Sequence, residues 1–193
     1  MNVELKYGSG KLPAVIPDGV PVEVLTIRNP PAAGDETALL ESALDAPVGC
    51  PPVEELLRGQ STVAVVTSDI TRPMPSAKVL PPLLARIRRA GVPPSRTRIV
   101  FALGCHRGPA EEEKRRLVGE EVYRQYACID SDPRDVVRLG TTSRGTPVDI
   151  FRPVAEVDAR ICLGNIEFHY FAGYSGGMKA IMPGASTREA IQA

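Results

Sequence analysis

Residues 61–67 read STVAVVT and residues 97–103 read TRIVFAL. Each is a nearly uninterrupted apolar run rich in β-branched residues, the pattern of a strand buried on both faces. Between them, Leu80, Leu83, Leu84 and Ile87 follow the i, i+3, i+4, i+7 spacing that lines one side of a helix. Pro81-Pro82 places the start of that helix, because proline lacks an amide hydrogen and is best tolerated in a first turn; Gly91 ends it. Strand, helix, strand in this rhythm predicts an α/β fold with a largely parallel sheet and helices on both faces. In such sheets the active-site crevice lies at the carboxyl ends of the strands.

Downstream the alternation continues. Residues 109–126 read as a charged helical stretch broken at Gly119, and 127–129 begin a third strand. Residues 136–139 and 147–150 form a hairpin around Ser143-Arg144-Gly145, and ARICL at 159–163 is another buried strand. A glycine-rich loop fills 164–184, after which Ser186 and Glu189 have capping-box spacing for a new helix. Upstream, strand-like pieces at 2–7, 13–16 and 22–27 are separated by Gly8, Gly10, Pro17-Asp18-Gly19 and Asn29-Pro30-Pro31. A helix is expected at 36–44 and a shorter one at 53–57. The whole of 1–193 is expected to be a single α/β domain.

Composition narrows the function classes. The 23 basic residues balance 23 acidic ones and do not gather into a stripe, which argues against nucleic acid or an anionic membrane as partner. No apolar run approaches the length of a membrane span, and Met1-Asn2-Val3-Glu4 does not open as a signal peptide does. The four cysteines are widely spaced without a CxxC pair, which excludes a structural zinc site. Cys105, Cys128 and Cys162 lie in or beside apolar runs and are expected to be small buried hydrophobes. A reduced, cytoplasmic protein follows as the expectation.

The polar residues fall at strand ends. Ser68-Asp69-Ile70-Thr71-Arg72-Pro73 follows the first buried strand and Gly104-Cys105-His106-Arg107-Gly108 the second. Residues 165–179, NIEFHYFAGYSGGMK, follow the last. Both histidines of the chain, His106 and His169, lie in these clusters. Histidine titrates near neutral pH and serves as acid or base with little tuning. Arg72, on a loop stiffened by Pro73, suits bidentate recognition of a carboxylate or phosphate; the bland alternative is an ion pair with Asp69 that braces the loop. The run Gly173-Tyr174-Ser175-Gly176-Gly177 lets backbone amides approach an anion, or is simply a flexible loop. It matches the spacing of a nucleophile elbow, but no histidine follows Ser175 to complete a triad. With Lys179 it also lacks the spacing of a P-loop. If the clusters share a site, Arg72, His106 and His169 converge on one edge of the sheet.

Taken together, SDITRPMPSAKVLPPLL, ALGCHRGPAEEEKRRLVGEE and GNIEFHYFAGYSGGMKAIMPGASTREAI resemble the lactate racemase family, whose members carry a nickel pincer nucleotide (pyridinium-3-thioamide-5-thiocarboxylic acid mononucleotide nickel). The resemblance covers nearly everything from Ser61 onward. It implies the amino-terminal, cofactor- and substrate-binding domain of a 2-hydroxyacid racemase or epimerase. By position, Lys179 matches the lysine joined to the cofactor through a thioamide, and His106 and His169 match two catalytic bases. Arg72 matches an active-site arginine that contacts the substrate carboxylate, and Asp69 an acidic residue near the cofactor. Gly176 and Gly177 belong to the loop that would cradle the cofactor's phosphate or position Lys179. The resemblance also implies a nickel-ligating histidine beyond Ala193 and a second, carboxyl-terminal domain as partner, so the 193 residues are expected to fold without racemising anything alone. Ser68 and Phe168 depart from the family pattern, where an acidic residue and a proline are common.

Two other function classes compete. A non-catalytic module of the same fold could bind a small acid or nucleotide, but it would not need His106, His169 and Lys179 together. A nucleotide-dependent transferase could use Arg72 and the glycine loop, but the chain has no recognisable metal-phosphate motif.

Overall fold

The computed structural model describes residues 1–26 and 34–193. Two compact units separate, Met1–Gly34 and Asp35–Ala193. In the first, β1 (Asn2–Tyr7) and β2 (Gly10–Val15) pair as an antiparallel hairpin. Residues 22–26 carry no strand, contrary to the sequence expectation, because no partner strand among the described residues takes up their backbone groups. The expected end of that strand at Ile27 and the turn at Asn29-Pro30-Pro31 lie outside the described residues.

The second unit runs α1 (Glu36–Asp45), α2 (Val53–Leu56), β3 (Val63–Ser68), α3 (Ser76–Arg89), β4 (Thr97–Ala102), α4 (Glu111–Val118), α5 (Glu120–Gln125) and β5 (Ala127–Asp130). It continues through β6 (Val136–Thr141), β7 (Pro147–Phe151), α6 (Arg152–Ala155), β8 (Ala159–Cys162), β9 (Phe168–His169), β10 (Gly173–Tyr174) and α7 (Arg188–Gln192). The central sheet has four strands in the order β5-β4-β3-β8, every pair parallel. β6 and β7 form the expected hairpin, antiparallel and apart from that sheet.

Alternation along β3 and β4 explains the two layers. Val63, Val65, Ile99 and Phe101 face a core closed by Leu57 and by residues of α3, α4 and α5, among them Leu84, Val118 and Val122. Ala64, Val66 and Val100 face the other way, against Ile150 and Phe151 of β7, Val154 of α6 and Ala185. The expected helices on both faces are therefore present but unequal. One face carries the long helices, the other only short α6 beside the end of a hairpin.

α3 begins at Ser76 and holds Pro81 and Pro82 inside it, rather than starting at that pair. Proline there removes amide hydrogens that would bond back to the first turn, a cost of about 3 kcal/mol for one interior proline. Burial of Leu80, Leu83, Leu84 and Ile87 opposes that cost at about 1.5–3 kcal/mol for each fully buried side chain. A hydrogen bond of 2.8 Å between the buried Thr67 and Ser76 hydroxyls fixes the first turn to β3. At the far end Gly91 (φ +95°) allows the left-handed turn that returns the Val92 amide to the Ile87 carbonyl. α1 has no buried residue and is tied to α3 through the nearly buried Arg86, which lies 2.6 Å from both Glu41 and Asp45. Those two carboxylates hold the Arg86 guanidinium above its already high pKa.

α7 also starts differently from expectation. Ser186 is buried and donates to the Asp149 carbonyl at 2.6 Å, so it is spent tying the chain to β7. Thr187 caps instead, its hydroxyl accepting from the Ala190 amide. Among the described residues no helix is long and apolar enough to cross a membrane.

Leu84→Ala should lower unfolding free energy by about 2–5 kcal/mol, because the side chain lies in the closed core between α3 and β3. Leu39→Ala, on the open side of α1, should change it by less than about 0.5 kcal/mol. Urea titration of the two variants checks the contrast.

Candidate functional site

β3 and β8 are neighbours in the sheet, but the chain leaves β3 through a helix on one face and reaches β8 from α6 on the other. That is a switch point, where a crevice opens beyond the strand ends. A cavity of about 830 Å³ lies there. Its wall includes Asp69 after β3, His106 after β4, and His169, Gly176 and Lys179 from the loop after β8, with Arg72 beside Asp69. Arg72, His106 and His169 thus share one edge of the sheet. Gly177 (φ +52°) begins the 3-10 turn Gly177–Ala180 and lies outside the cavity wall.

Asp69 is 2 % exposed, and three hydrogen bonds satisfy its carboxylate. Oδ1 accepts from the Thr71 amide at 2.9 Å and from the Thr71 hydroxyl at 2.6 Å, an Asx turn that folds the loop back on itself. Oδ2 lies 2.6 Å from His106 Nδ1. A buried carboxylate in this setting accepts only, so Nδ1 carries the hydrogen. The bracing pair between Arg72 and Asp69, the alternative to ligand recognition, is absent: Asp69 pairs with His106, and among the described residues no carboxylate pairs with Arg72. Its guanidinium reaches only the Thr71 carbonyl, at 3.4 Å.

His169 sits at the end of β9 and turns its ring back on its own loop. Nδ1 accepts from the amides of Phe171, at 3.3 Å, and Ala172, at 3.2 Å. Tyr170 stacks on the imidazole at 5.4 Å between centroids. Desolvation, then the positive charges of Lys179 and Arg72, hold the His169 pKa below its ordinary value, with Glu167 opposing. Lys179 is shifted down as well, by desolvation first and Arg72 second, again against Glu167.

The loop that carries both residues is held by backbone and by one serine. Ser175 is buried, donates from its hydroxyl to the Asn165 carbonyl at 2.7 Å and accepts from the Glu167 amide at 3.2 Å. Its hydroxyl is engaged in joining the two limbs of the loop, in keeping with the missing triad. Gly164 and Gly176 touch so closely that a Cβ on Gly164 would come 3.0 Å from the Gly176 Cα. The loop is anchored to β4 where the Gly104 amide donates to the Gly184 carbonyl at 2.8 Å.

Sequence reasoning missed Thr71, which shapes the Asp69–His106 pair, and the aromatic residues Tyr170 and Phe171 in the cavity wall. Thr71 was readable from its place two residues after an aspartate, the spacing of an Asx turn. Cys105 is exposed at the cavity, not buried as expected, because Gly104 (φ +56°) turns the chain out of the sheet just before it.

Gly184→Ala should be overpacked, since a Cβ there would lie 2.5 Å from the Ala180 carbonyl oxygen and 2.8 Å from the Ala102 Cβ. A loss of about 1–3 kcal/mol is expected on thermal unfolding. Lys179 should become acylable at lower pH than a free lysine, near 10.4, because its neutral amine is favoured. Arg72→Gln should move that midpoint upward, as read from peptide masses after competitive acetylation across a pH series. An unchanged midpoint would show that the guanidinium does not act on the amine.

The lactate racemase N-terminal domain family model matches residues 7–193. Lactate racemase from Lactiplantibacillus plantarum is 37% identical over 161 residues, which cover 82% of this chain and 38% of that protein. Lactate racemase from Thermoanaerobacterium thermosaccharolyticum is 32% identical over 201 residues, covering 100% of this chain and 46% of that one. The solved apoprotein from the latter organism superimposes with a TM-score of 0.85 at 32% identity, over 99% of this chain and 45% of its own. A Thermotoga maritima protein shares the fold, with a TM-score of 0.64 at 21% identity. The chain spans less than half the length of these relatives. On the extent of the family match and the identity to both racemases, the chain belongs to the lactate racemase N-terminal domain family.

Proposed function

We propose that this chain is the cofactor- and substrate-binding part of a cytoplasmic 2-hydroxyacid racemase of the lactate type, completed by a second domain. The observation that carries the reading is the meeting of His106, His169, Arg72 and Lys179 around one cavity. Arg72, free of carboxylate partners among the described residues, offers its planar fork to the substrate carboxylate. His106, oriented by Asp69, takes the hydroxyl proton. His169 faces the same cavity from its own loop and serves as the second base, for the opposite enantiomer.

The α-hydrogen of a 2-hydroxy acid is too weakly acidic to leave easily as a proton, which calls for a hydride acceptor. The residues fit the nickel pincer nucleotide in its organic part. The cavity is of the size that takes a cofactor, and Lys179 presents an amine shifted toward its neutral, nucleophilic form, as a thioamide link requires. Arg72 and Lys179 together give the wall a positive character that suits a phosphate or carboxylate. Among the described residues no group of three or more His, Cys, Asp or Glu is placed to hold a metal ion. The donors for nickel would come from the pincer itself and from outside this chain. When bound, the cofactor supplies hydride acceptance and return at the α-carbon; the protein orients the acid and moves the hydroxyl proton.

The test is racemisation of a panel of 2-hydroxy acids by the full-length, cofactor-loaded protein. His106→Ala should cost about 10²–10⁴-fold in turnover, the usual worth of a general base. Arg72→Lys should lower kcat/KM about tenfold to a hundredfold, since charged hydrogen bonds of about 1.5–3 kcal/mol lose their planar geometry. Full activity of His106→Ala would remove that residue from the reaction. The 193 residues alone should fold but neither racemise lactate nor gain a nickel-containing adduct by intact mass.

A further inference from the structure

A serine hydroxyl stands where the ladder between β4 and β5 runs out. The Ser131 amide donates to the Phe101 carbonyl at 3.0 Å, continuing that ladder one residue past β5. At the next step of a parallel ladder the Leu103 amide would donate to the Ser131 carbonyl. Here it donates to the Ser131 hydroxyl oxygen instead, at 3.0 Å. A hydroxyl, unlike a carbonyl, has a hydrogen to pass on, and Ser131 gives it to the Gly184 carbonyl at 3.2 Å. The residue is buried, so water competes little for either contact.

Those two bonds complete a chain of hydrogen bonds between residues that carry chemistry. On one side the His106 amide donates to the Leu103 carbonyl at 2.9 Å. The Gly104 amide, at the other end of that same peptide group, donates to the Gly184 carbonyl at 2.8 Å. On the far side the Gly184 amide donates to the Lys179 carbonyl at 3.0 Å. Leu103 and Gly184 are each held at both backbone groups, and Ser131 joins them. Resting on the proposed racemase reading, we infer that Ser131 is a positioning residue of the site: it fixes the histidine after β4 against the cofactor-bearing lysine after β8, without lining the cavity they share.

Such a clamp is needed because β3 lies between β4 and β8 in the sheet, so the ladder does not join their loops. Asp69 orients the His106 ring relative to β3, whereas the contacts at Gly184 set the backbone of His106 relative to Lys179. Gly184 has little room to drift, since even a Cβ there would lie 2.5 Å from the Ala180 carbonyl oxygen. Removing the Ser131 hydroxyl leaves the Leu103 amide without its acceptor and the Gly184 carbonyl with one donor in place of two. Arg72 lies on the loop after β3, outside this chain of bonds, so recognition of the substrate carboxylate is untouched. The loss falls on the spacing between base and cofactor, where a displacement of about 1 Å can cost about a hundredfold in rate.

The experiment compares the full-length protein with its Ser131→Ala and Ser131→Cys variants. Hydrogen exchange is followed without cofactor, and racemisation of 2-hydroxy acids with it, turnover being counted per cofactor-bearing Lys179 from intact mass. In Ser131→Ala the amides of Leu103 and Gly104 should exchange about tenfold faster, the equilibrium effect of one lost hydrogen bond, while those of β3 keep their rates. In the same variant kcat should fall about tenfold to a hundredfold and KM should stay within about twofold. Cysteine, close to serine in shape but a weak donor and acceptor, should fall between the two and decides the matter if the alanine variant does not fold. Unchanged exchange at residues 103–104, or faster exchange there with kcat unchanged, would overturn the inference. So would an equal acceleration in β3, the mark of a side chain that serves stability alone. Local acceleration in a protein that racemises no 2-hydroxy acid would sink the functional reading and leave the clamp standing. An active racemase whose exchange is indifferent to Ser131 would do the reverse.

Discussion

β3 is closed to water on both faces along Val63, Ala64, Val65 and Val66, each with no measurable exposure. A strand in that position tolerates few polar side chains, because an unpaired one would sit in apolar surroundings at a cost of several kcal/mol. Thr67, the polar residue that does lie inside, shares its hydroxyl with Ser76. The remaining polar residues are forced to the place where the strand leaves the core. Asp69 is the first carboxylate there, and burial obliges it to find donors. It finds them in Thr71 and His106, on two different loops. Burial of β3 thus leads to the pairing of the loops after β3 and β4, and that pairing sets the orientation of one histidine.

The loop after β8 solves a different problem. Residues 164–184 include only the two-residue strands β9 and β10 and one 3-10 turn, so little regular structure constrains them. A buried serine and a glycine contact do much of that work instead. Ser175 joins the two limbs, and Gly164 against Gly176 lets the backbones meet without side chains between them. Further along, the Gly184 carbonyl accepts from both the Gly104 amide and the Ser131 hydroxyl. The chain then crosses to β7 through Ala185 and Ser186. His169 and Lys179 therefore depend for their positions on residues with no chemical role of their own.

The layered sheet was legible because burial writes itself into periodicity: β3, β4, β8 and the stripe of α3 all follow from the spacing of apolar residues. Element ends were less legible where two local preferences conflict. The Pro81-Pro82 rule counts lost hydrogen bonds but not the packing of Leu80, Leu83, Leu84 and Ile87, and packing sets the start of α3. Ser186 has the right chemistry for a cap, yet β7 claims its hydroxyl and leaves the cap to Thr187. The short α6 gave no sequence signal, since four residues are too few to show a helical period. In the site, histidines and arginine at strand ends stood out by residue type. Most of the partners that decide how they behave did not: Thr71 could be read from its spacing after Asp69, but two backbone amides and a stacked tyrosine become visible only in three dimensions.

The two histidines differ in what holds them, and this gives the site an asymmetry that residue identity alone would never suggest. His106 is oriented by a carboxylate rooted in the central sheet, so its ring state is as firm as the fold. His169 is oriented by amides two and three residues further along its own backbone, so its ring state lasts only while that turn keeps its shape. Tyr170 and Phe171, both largely exposed, lie in the same turn. Any group that packs against those aromatic rings also acts on the amides that hold His169. Whatever covers this loop would therefore also bear on the orientation of His169, while that of His106 is already set by Asp69. One histidine thus belongs to the core of the fold, and the other to a loop whose exposed aromatic face has no partner among the described residues.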